Sequence, residues 1–316
     1  MAFFEEKREE KSDNSLWVEH YRPKVLSEYV GNEHLKGTIE GFIENNDIPH
    51  LLFYGKPGTG KTTLAKLIAN TIDCDLLLMN ASDENGIDII RNKIKNFAST
   101  IGFRGSKVVI LDEADYLTIQ AQSTLRNLME TFSKHCRFIL TCNYVERINP
   151  AIQSRCQSFQ IIPPSKKEVA MQVVNILDKE QIEYVIQDIV PIIDASYPDI
   201  RKIINTVQLN CTRGKLKLNK SAVVDSDAKS HIVEILKGND SAQIKYRNIR
   251  QAVADSRVQD FSDFYGYLYE KVDEYAEGKT SAVILKIAES QFKDALVIDK
   301  EITFVACIIQ IIAELS

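Results

Sequence analysis

The chain has 316 residues, a formal net charge of −5 and 44% hydrophobic residues, which are ordinary values for a water-soluble protein with more than one domain. The negative charge argues against a protein whose whole surface coats a polyanion. No apolar run reaches the roughly 18 residues of a membrane-spanning helix, and the first residues, MAFFEEKREEKSDN, are charged where a signal peptide is apolar. We therefore expect an intracellular protein that is not secreted and has no membrane partner.

The six cysteines and five histidines lack the spacing of a metal site or of a disulfide framework. We expect reduced, mostly buried thiols and no zinc.

Short apolar segments, each followed by a stretch of helical periodicity, recur through the first half of the chain. They are HLLFY (50–54), DLLLM (75–79), KVVIL (107–111), RFILT (137–141) and SFQII (158–162). Strands that alternate with helices and are apolar on both faces predict an α/β fold, a parallel sheet covered on two sides. Ligands of such sheets bind at the carboxyl ends of the strands.

Pro163 and Pro164 interrupt this alternation, and Ser165 can cap the next helix. Nearly all of the remaining sequence has helical periodicity, and we interpret the basic stretch 212–221 as a solvated linker. We predict an α/β domain over residues 1–163, a small helical domain over 164–220 and a helical C-terminal domain over 221–316.

The segment GKPGTGKT (55–62) fits the phosphate-loop pattern G-x-x-x-x-G-K-[ST] and stands between a predicted strand and a predicted helix. Gly55, Gly58 and Gly60 let backbone N–H groups turn toward phosphate oxygens at the positive end of that helix. Lys61 can reach the β- and γ-phosphates, and Thr62 can offer its hydroxyl to Mg²⁺. The segment predicts a site for a nucleoside triphosphate.

Acidic residues follow a second apolar strand in VVILDEAD (108–115). Asp112 is placed to hold magnesium through water, and Glu113 to orient and deprotonate an attacking water. Asn143 ends the next strand, in LTCNY (140–144), where its amide can lie beside a γ-phosphate. The combination predicts hydrolysis of ATP rather than binding alone.

Residues 86–107 are locally basic, with five lysines and arginines against one aspartate, a local charge of +4. The basic residues are Arg91, Lys93, Lys95, Arg104 and Lys107, and the acidic one is Asp88. Helical periodicity in GIDIIRNKIKNF predicts a buried stripe and leaves Arg91 near its edge, with Lys95 beside it. The stripe contains Ile87, Ile90, Ile94, Phe97 and Ala98. By itself this is either a solvated helix face or a contact surface for phosphates.

Several motifs beyond the phosphate loop resemble those of the small subunits of sliding-clamp loaders, within the AAA+ ATPases: archaeal and eukaryotic replication factor C and its bacteriophage counterparts. They are LWVEHYRPKVLSEYVGNEHLK (16–36), NASDENGIDIIRNKIKNFAS (80–99), LDEADYLTIQAQSTLRNLME (111–130), FILTCNY (138–144) and IQSRC (152–156). The resemblance covers about residues 16–205. It implies an AAA+ ATPase domain, a helical lid and a C-terminal collar that oligomerises.

The resemblance also implies roles for site residues. Asn143 becomes sensor 1 and Arg201, in YPDIRKIIN, becomes sensor 2, although YPDIR departs from the usual glycine-led form. The implied nucleotide contacts are Tyr21, Arg22, Pro23, Val30 and Gly31 around the adenine, and Gly55, Pro57, Gly58, Thr59, Gly60, Lys61, Thr62 and Thr63 around the phosphates. The implied catalytic set is Lys61, Asp112, Glu113, Asn143 and Arg155, with Thr62 and Asp112 on the metal.

Arg155, in NPAIQSRCQSF, matches the family's finger motif, in which the arginine reaches the γ-phosphate held by a neighbouring subunit.

Arg91 and Lys95 would contact DNA phosphates without reading bases. Asn85 stands where relatives usually carry a basic residue. In the next helix, Gln122 and Arg126 lie off the predicted core and either relay DNA contact to Glu113 or form plain surface. Ile101 and Phe103 either plug into a pocket of the sliding clamp or pack on the chain's own sheet.

The implied function is that of an ATPase subunit that uses ATP and Mg²⁺ to open a sliding clamp and load it on primer–template DNA. Its partners would be the other subunits of a pentameric hetero-oligomer, the clamp and the DNA. Its location would be the cytoplasm, a phage host's cytoplasm or a eukaryotic nucleus. Two alternatives stay open: a nucleic-acid translocase or helicase, and a scaffold subunit that binds ATP without hydrolysing it.

Overall fold

The computed structural model describes residues 16–45, 48–72, 74–100, 102, 106–217, 220–256, 258, 261–294 and 296–315. The chain divides into two compact units, one of Met1–Ile189 with Ser196–Leu216 and one of Val190–Ala195 with Lys217–Ser316. Among the described residues, no helix combines the length and the apolar character that crossing a membrane requires.

The first part of the chain alternates helices and strands. Its elements are α1 (Trp17–His20), α2 (Glu33–Glu44), β1 (Leu51–Tyr54), α3 (Lys61–Thr71), β2 (Cys74–Asn80), α4 (Ile87–Ser99), β3 (Ser106–Asp112), α5 (Ile119–Thr131), β4 (Cys136–Cys142), α6 (Pro150–Gln153) and β5 (Gln157–Gln160). Single 3-10 turns lie at Leu26–Glu28, Ala114–Tyr116 and Val145–Arg147.

The five strands form one parallel sheet in the order β2-β3-β4-β1-β5. Buried side chains of α4 and α5, such as Ile90, Ile94 and Leu125, pack on one face of this sheet. Those of α2 and α3, such as Ile39 and Leu64, pack on the other. The prediction of a parallel α/β fold covered on both sides is therefore confirmed.

The expectation that every strand is apolar on both faces is wrong for the two edge strands. In β2, Leu76 and Leu78 are 40% and 47% exposed, and in β5, Gln157, Ser158 and Gln160 are exposed. Side chains of an edge strand are covered only where a helix extends over the edge of the sheet, so its faces need not be buried as those of the central strands are. The apolar leucines of β2 gave no sequence signal of this exposure.

Three helices follow the sheet: α7 (Lys166–Lys179), α8 (Ile186–Ser196) and α9 (Ile200–Asn210). Ser165 caps α7 as predicted, because its hydroxyl accepts the N–H of Glu168 while the Glu168 carboxylate accepts the N–H of Ser165. The segment interpreted as a linker begins instead as a hairpin of β6 (Cys211–Thr212) and β7 (Lys215–Leu216). Its turn uses the left-handed backbone of Arg213 and Gly214.

The second unit is helical, with α10 (Lys220–Lys237), α11 (Ala242–Ser256), α12 (Ser262–Glu270), α13 (Val272–Tyr275), α14 (Thr280–Asp294) and α15 (Lys300–Leu315). Aromatic rings occupy its core: Phe261 stacks on Phe304 with centroids 4.7 Å apart, and Phe264 meets Phe304 edge-on. The predicted domain boundaries at residues 163 and 220 remain predictions.

Lys107, counted above in the basic stretch, is only 4% exposed. Its ammonium donates to the backbone oxygens of Phe97 and Thr100 and to the Thr100 hydroxyl, and it lies 5.2 Å from the Phe97 ring centroid. A cation at a helix C-terminus satisfies carbonyls that have no partner within the helix. Lys107 therefore caps α4 and cannot face a phosphate. The local charge of +4 counted Lys107 as a surface cation, so that count is one too high for the exposed surface.

Replacement of Lys107 by methionine is expected to lower the free energy of unfolding by about 1–3 kcal/mol, since it leaves carbonyls at the end of α4 without a donor. Urea denaturation measures the change. Lys95→Met is the matched control, because Lys95 is exposed on the same helix and should change stability by less than about 0.5 kcal/mol. Equal losses in the two variants would contradict the capping role.

Gln122, expected off the core, is 5% exposed. Its amide nitrogen donates to the backbone oxygens of Leu117 (3.3 Å) and Arg147 (2.9 Å), and its amide oxygen accepts the N–H of Asn149 (2.7 Å). The surface interpretation of Gln122 is therefore wrong: the side chain joins the start of α5 to the segment before α6. Arg126 is partly exposed and donates to Asn127 (3.0 Å).

The free energy of unfolding is expected to depend on pH through His50, which lies just before β1. Burial, with a smaller effect of the Arg137 charge, lowers its pKa from 6.5 to about 4, and its Nδ1 accepts the N–H of Phe138 (3.2 Å). Between pH 6.5 and about 4, His50 is protonated in the unfolded chain but stays neutral in the native protein. The free energy of unfolding therefore decreases as the pH falls through this range. In His50→Asn this loss should be smaller, which urea titrations at pH 7 and pH 5 measure. An identical loss in the two proteins would contradict the effect.

Candidate functional site

The predicted phosphate loop joins the carboxyl end of β1 to the start of α3. Gly58 and Gly60 have φ values of +70° and +94°, a region that favours glycine. A side chain at Gly60 would also lie within about 3.1 Å of the Tyr29 ring. The glycines therefore serve the turn and the close packing beneath it.

Lys61, the first residue of α3, is buried. Its ammonium donates three hydrogen bonds of 2.8 Å, to the backbone oxygens of Gly55 and Lys56 and to Oδ1 of Asn143. Burial lowers the pKa of Lys61, while the charges of Asp112 and Asp115 act against that shift. The contact with Asn143 joins the loop after β1 to the end of the neighbouring strand β4.

Asp112 ends β3 and meets two hydroxyl groups. Its Oδ1 accepts the hydroxyl of Thr62 at 2.7 Å and a short bond from that of Thr141. The two residues predicted to share a metal therefore have oxygen atoms in direct contact at the carboxyl end of the sheet.

Glu113 has left-handed backbone, with φ of +55°. Its N–H donates to the Thr141 hydroxyl (3.1 Å). Non-glycine residues adopt this conformation at some energetic cost, and such positions cluster at functional sites. The side chain lines an open cavity of about 470 Å³ together with Lys61, Asp112 and Asn143.

Asp115, which was not predicted as a site residue, holds the backbone of Asn143. Oδ2 of Asp115 accepts the N–H groups of Asn143 and Tyr144, each at 3.3 Å. Asp115 is 7% exposed, and its Oδ1 has no partner among the described residues. The buried carboxylate therefore fixes the backbone that carries the Asn143 amide.

A second open cavity, of about 620 Å³, adjoins the first and shares Gly58, Gly60, Thr63 and Arg201 with it. It is lined by residues predicted to surround adenine, among them Tyr21, Arg22, Pro23 and Val30. Gly31 is buried against Pro164 and is not among the residues that line this cavity.

The Tyr21 hydroxyl donates to Glu180 at 2.5 Å. Burial, with this bond and the charge of Glu180, raises the pKa of Tyr21 to about 12. Because the hydroxyl is bonded to Glu180, the aromatic ring of Tyr21 is the part that an adenine ring can contact.

Helix α9 meets the phosphate loop directly. The N–H of Ile200 donates to the Gly58 carbonyl (3.2 Å), and Asp199 caps the helix by accepting the N–H of Lys202 (3.0 Å). Asp199 also lies where a side chain at Gly58 would be, with an oxygen about 1.9 Å from that position. Through these contacts Arg201 lines both cavities.

Arg155 is not among the residues that line these two cavities. It lines another surface cavity with His50, Ser133 and Arg137. Its guanidinium donates to Ala151 O (2.5 Å) and forms a short ion pair with Glu130. The arginine is thus separate from its own phosphate loop, as the finger interpretation requires.

Arg91 and Lys95 are exposed one turn apart on α4. Arg91 is 4.0 Å from Asp88, and Lys93 pairs with Glu84 at 2.6 Å. Ile101, Phe103 and Arg104 lie outside the described residues, so the clamp contact and one of the basic residues stay predictions.

The sequence motifs did not single out Thr141, Asp115 and Asp199. Thr141 stands two residues before Asn143, Asp115 is the last residue of DEAD, and Asp199 stands two residues before Arg201. Their proximity to predicted site residues was the available signal. Thr141 and Asp115 bond groups about 28 residues away in the chain, and Asp199 fits against Gly58, contacts that local spacing does not reveal.

The chain is similar to a known family and to several curated proteins. The profile of the AAA family, described as the ATPase family associated with various cellular activities, matches residues 51–164. The replication factor C small subunit of Archaeoglobus fulgidus is 43% identical over 67% of this chain and 66% of its own length. That of Sulfolobus acidocaldarius is 42% identical over 64% of each protein. The chain spans about two thirds of the length of these relatives.

Among solved structures, the Thermotoga maritima RuvB Holliday junction branch migration motor matches with a TM-score of 0.56. The match covers 79% of this chain and 91% of that protein, at 18% identity, and so shows a common fold only. The replication factor C small subunit of Methanococcus vannielii is 41% identical, over 70% of this chain and 72% of its own length. The chain therefore belongs to the family of replication factor C small subunits, within the AAA ATPases.

Proposed function

We propose that the chain is the ATP-hydrolysing subunit of a sliding-clamp loader, which opens a ring-shaped clamp and places it on primer–template DNA. One observation carries the proposal: Lys61, Asp112, Glu113 and Asn143 line one cavity, whereas Arg155 lies outside it. Such a site is completed by an arginine from the next subunit, so ATP would act as a latch between two chains.

ATP would lie along the two adjoining cavities, with its base against Tyr21 and Val30 and its phosphates at Gly58 and Gly60. The three donors of Lys61 are all bonded to oxygens of the chain, so a phosphate oxygen has to replace one of these acceptors. Arg201 lines both cavities and can bring a second positive charge to the phosphates.

Magnesium fits the oxygen atoms at the end of β3. The Thr62 hydroxyl and the Asp112 carboxylate are 2.7 Å apart, and hydroxyl, carboxylate and phosphate oxygens suit this ion. Magnesium would supply charge neutralisation on the phosphates. Thr141 keeps the Asp112 carboxylate in place through its own hydroxyl.

Glu113 would orient the attacking water and accept its proton. The bond from its N–H to Thr141 ties the backbone of this base to the side chain that also holds Asp112. Asn143, fixed from behind by Asp115, would orient the water and the terminal phosphate through its amide.

Arg91 and Lys95 would contact the DNA backbone without base readout. Both are exposed on α4, whereas Lys107 is not. We also propose that Ile101 and Phe103 contact the clamp and that residues 221–316 form a collar that joins a pentameric hetero-oligomer. The protein would act where DNA is replicated, in the cytoplasm or a nucleus.

The test is the ATP hydrolysis rate of the assembled protein with primed DNA, with the cognate clamp, with both and with neither. We expect the highest rate with both, and Lys61→Ala assemblies supply the background. No stimulation by either partner would remove the clamp-loader proposal. Strand unwinding in the absence of a clamp would favour a helicase.

A scaffold subunit that binds ATP without hydrolysing it is the remaining alternative. The same measurement decides it, because such a subunit would bind ATP and show only the Lys61→Ala background rate with both partners present.

A further inference from the structure

The guanidinium of Arg155 is held on its own chain from two sides. Nη2 forms an ion pair with Oε1 of Glu130, and Nη1 donates to the backbone oxygen of Ala151 at 2.5 Å. The Ser154 hydroxyl is 3.5 Å from the same Nη1. A side chain that otherwise samples many rotamers is therefore restricted to one direction.

Local structure brings these groups together. Glu130 is in the last turn of α5, and Ala151 lies in the short helix α6, whose end carbonyls lack partners within the helix. The side chains of Arg155 and Glu130 remain 34% and 50% exposed. An ion pair this exposed adds little to folding stability, so stability alone does not account for its geometry.

We propose that Glu130 is a positioning residue for the reaction at the neighbouring site: its carboxylate keeps Arg155 in the rotamer that meets the neighbour's terminal phosphate. This inference rests on the proposed function, in which Arg155 acts on the next subunit. Glu130 itself touches neither nucleotide nor water in this role.

The contacts that hold Arg155 leave some of its N–H donors unused. A guanidinium carries five N–H groups in a planar fork, and the contacts with Glu130, Ala151 and Ser154 use at most three of them. The remaining donors can bind phosphate oxygens while Glu130 stays bound. The carboxylate offsets part of the positive charge, but a fixed orientation has the larger effect, because small misplacements of a catalytic group cost large factors in rate.

Loss of the Glu130 carboxylate should lower the rate of ATP turnover and leave ATP binding unchanged. In assemblies built with Glu130→Ala, we expect kcat to fall about tenfold, while KM for ATP and the affinity of the subunit's own site stay unchanged. Glu130→Gln keeps an acceptor oxygen and should recover part of the rate. Glu40→Ala, which removes an exposed glutamate of α2, is the charge-matched control and should behave like the parent.

The decisive experiment is a double-mutant cycle with Arg155→Ala, measured as ATP turnover of the assembled protein with primed DNA and clamp. If Glu130 acts through Arg155, Glu130→Ala lowers kcat in the parent and has no further effect in the Arg155→Ala background.

Two results would overturn the inference while leaving the shared site intact: a Glu130→Ala rate at or above the parent's, or a further loss of rate in the Arg155→Ala background. If Arg155→Ala itself turned over ATP at the parent rate, the shared-site proposal would fail and the role of Glu130 with it.

Discussion

Subunits with Arg155→Ala are expected to bind ATP normally, yet to leave a neighbouring site with intact Glu113 almost unable to hydrolyse it. Arg155 lies outside its own nucleotide cavities, so its removal should spare that site. An arginine supplied by another chain neutralises charge in the transition state, and its loss should cost on the order of 10³ in rate. The measurement is ATP turnover in assemblies mixed from Arg155→Ala subunits and subunits with an intact arginine.

Arg155→Lys serves as the control for charge. Lysine keeps the positive charge but loses the planar fork of donors, so we expect only a small recovery of the rate. Loss of ATP binding in the mutant subunit's own site would contradict the finger role and would assign Arg155 to that site or to its folding.

Glu113→Gln should lower hydrolysis by about 10²–10⁴ and leave ATP binding intact, since it removes a general base without changing the size of the side chain. The backbone bond from residue 113 to Thr141 does not depend on the carboxylate, so the local fold should be kept. Turnover and equilibrium ATP binding, measured on the same assemblies, separate the two effects.

Glu146→Gln is a suitable control for Glu113→Gln because Glu146 is exposed after β4, and its rate should match the parent's. If Glu113→Gln hydrolysed ATP as fast as the unaltered protein, Glu113 would not be the base, and the water would have to be activated by another group.

The sequence predicted the parallel sheet and the phosphate loop well, because both depend on patterns over short distances. An apolar run, a glycine loop and an amphipathic helix follow one another within 50–71, and the structure has β1, the loop and α3 there. Strand ends are adjacent in a parallel sheet, so Asp112 and Asn143 could be expected near Lys61, and Lys61 does bond Asn143. The resemblance to clamp-loader small subunits is also confirmed by the relatives.

Other features depend on where a long side chain ends, which periodicity cannot predict. Lys107 and Gln122 are polar residues that patterning places on the surface, yet their stems are buried and their polar ends satisfy backbone groups. Likewise, nothing local in the sequence indicates that Glu130 reaches Arg155, since 25 residues separate them. The roles of the individual site residues remain predictions for the experiments above.

The contact between Gly58 and the start of α9 has a mechanical consequence. The phosphate loop and the helix that carries Arg201 are joined by a backbone hydrogen bond from Ile200 to Gly58 and by the fit of Asp199 against the glycine. Any rearrangement of the loop on meeting phosphate must either move α9 with it or break that bond. A methyl group at residue 58 would meet the Asp199 carboxylate, so it would displace either the loop or the start of the helix that carries an arginine 143 residues further along the chain.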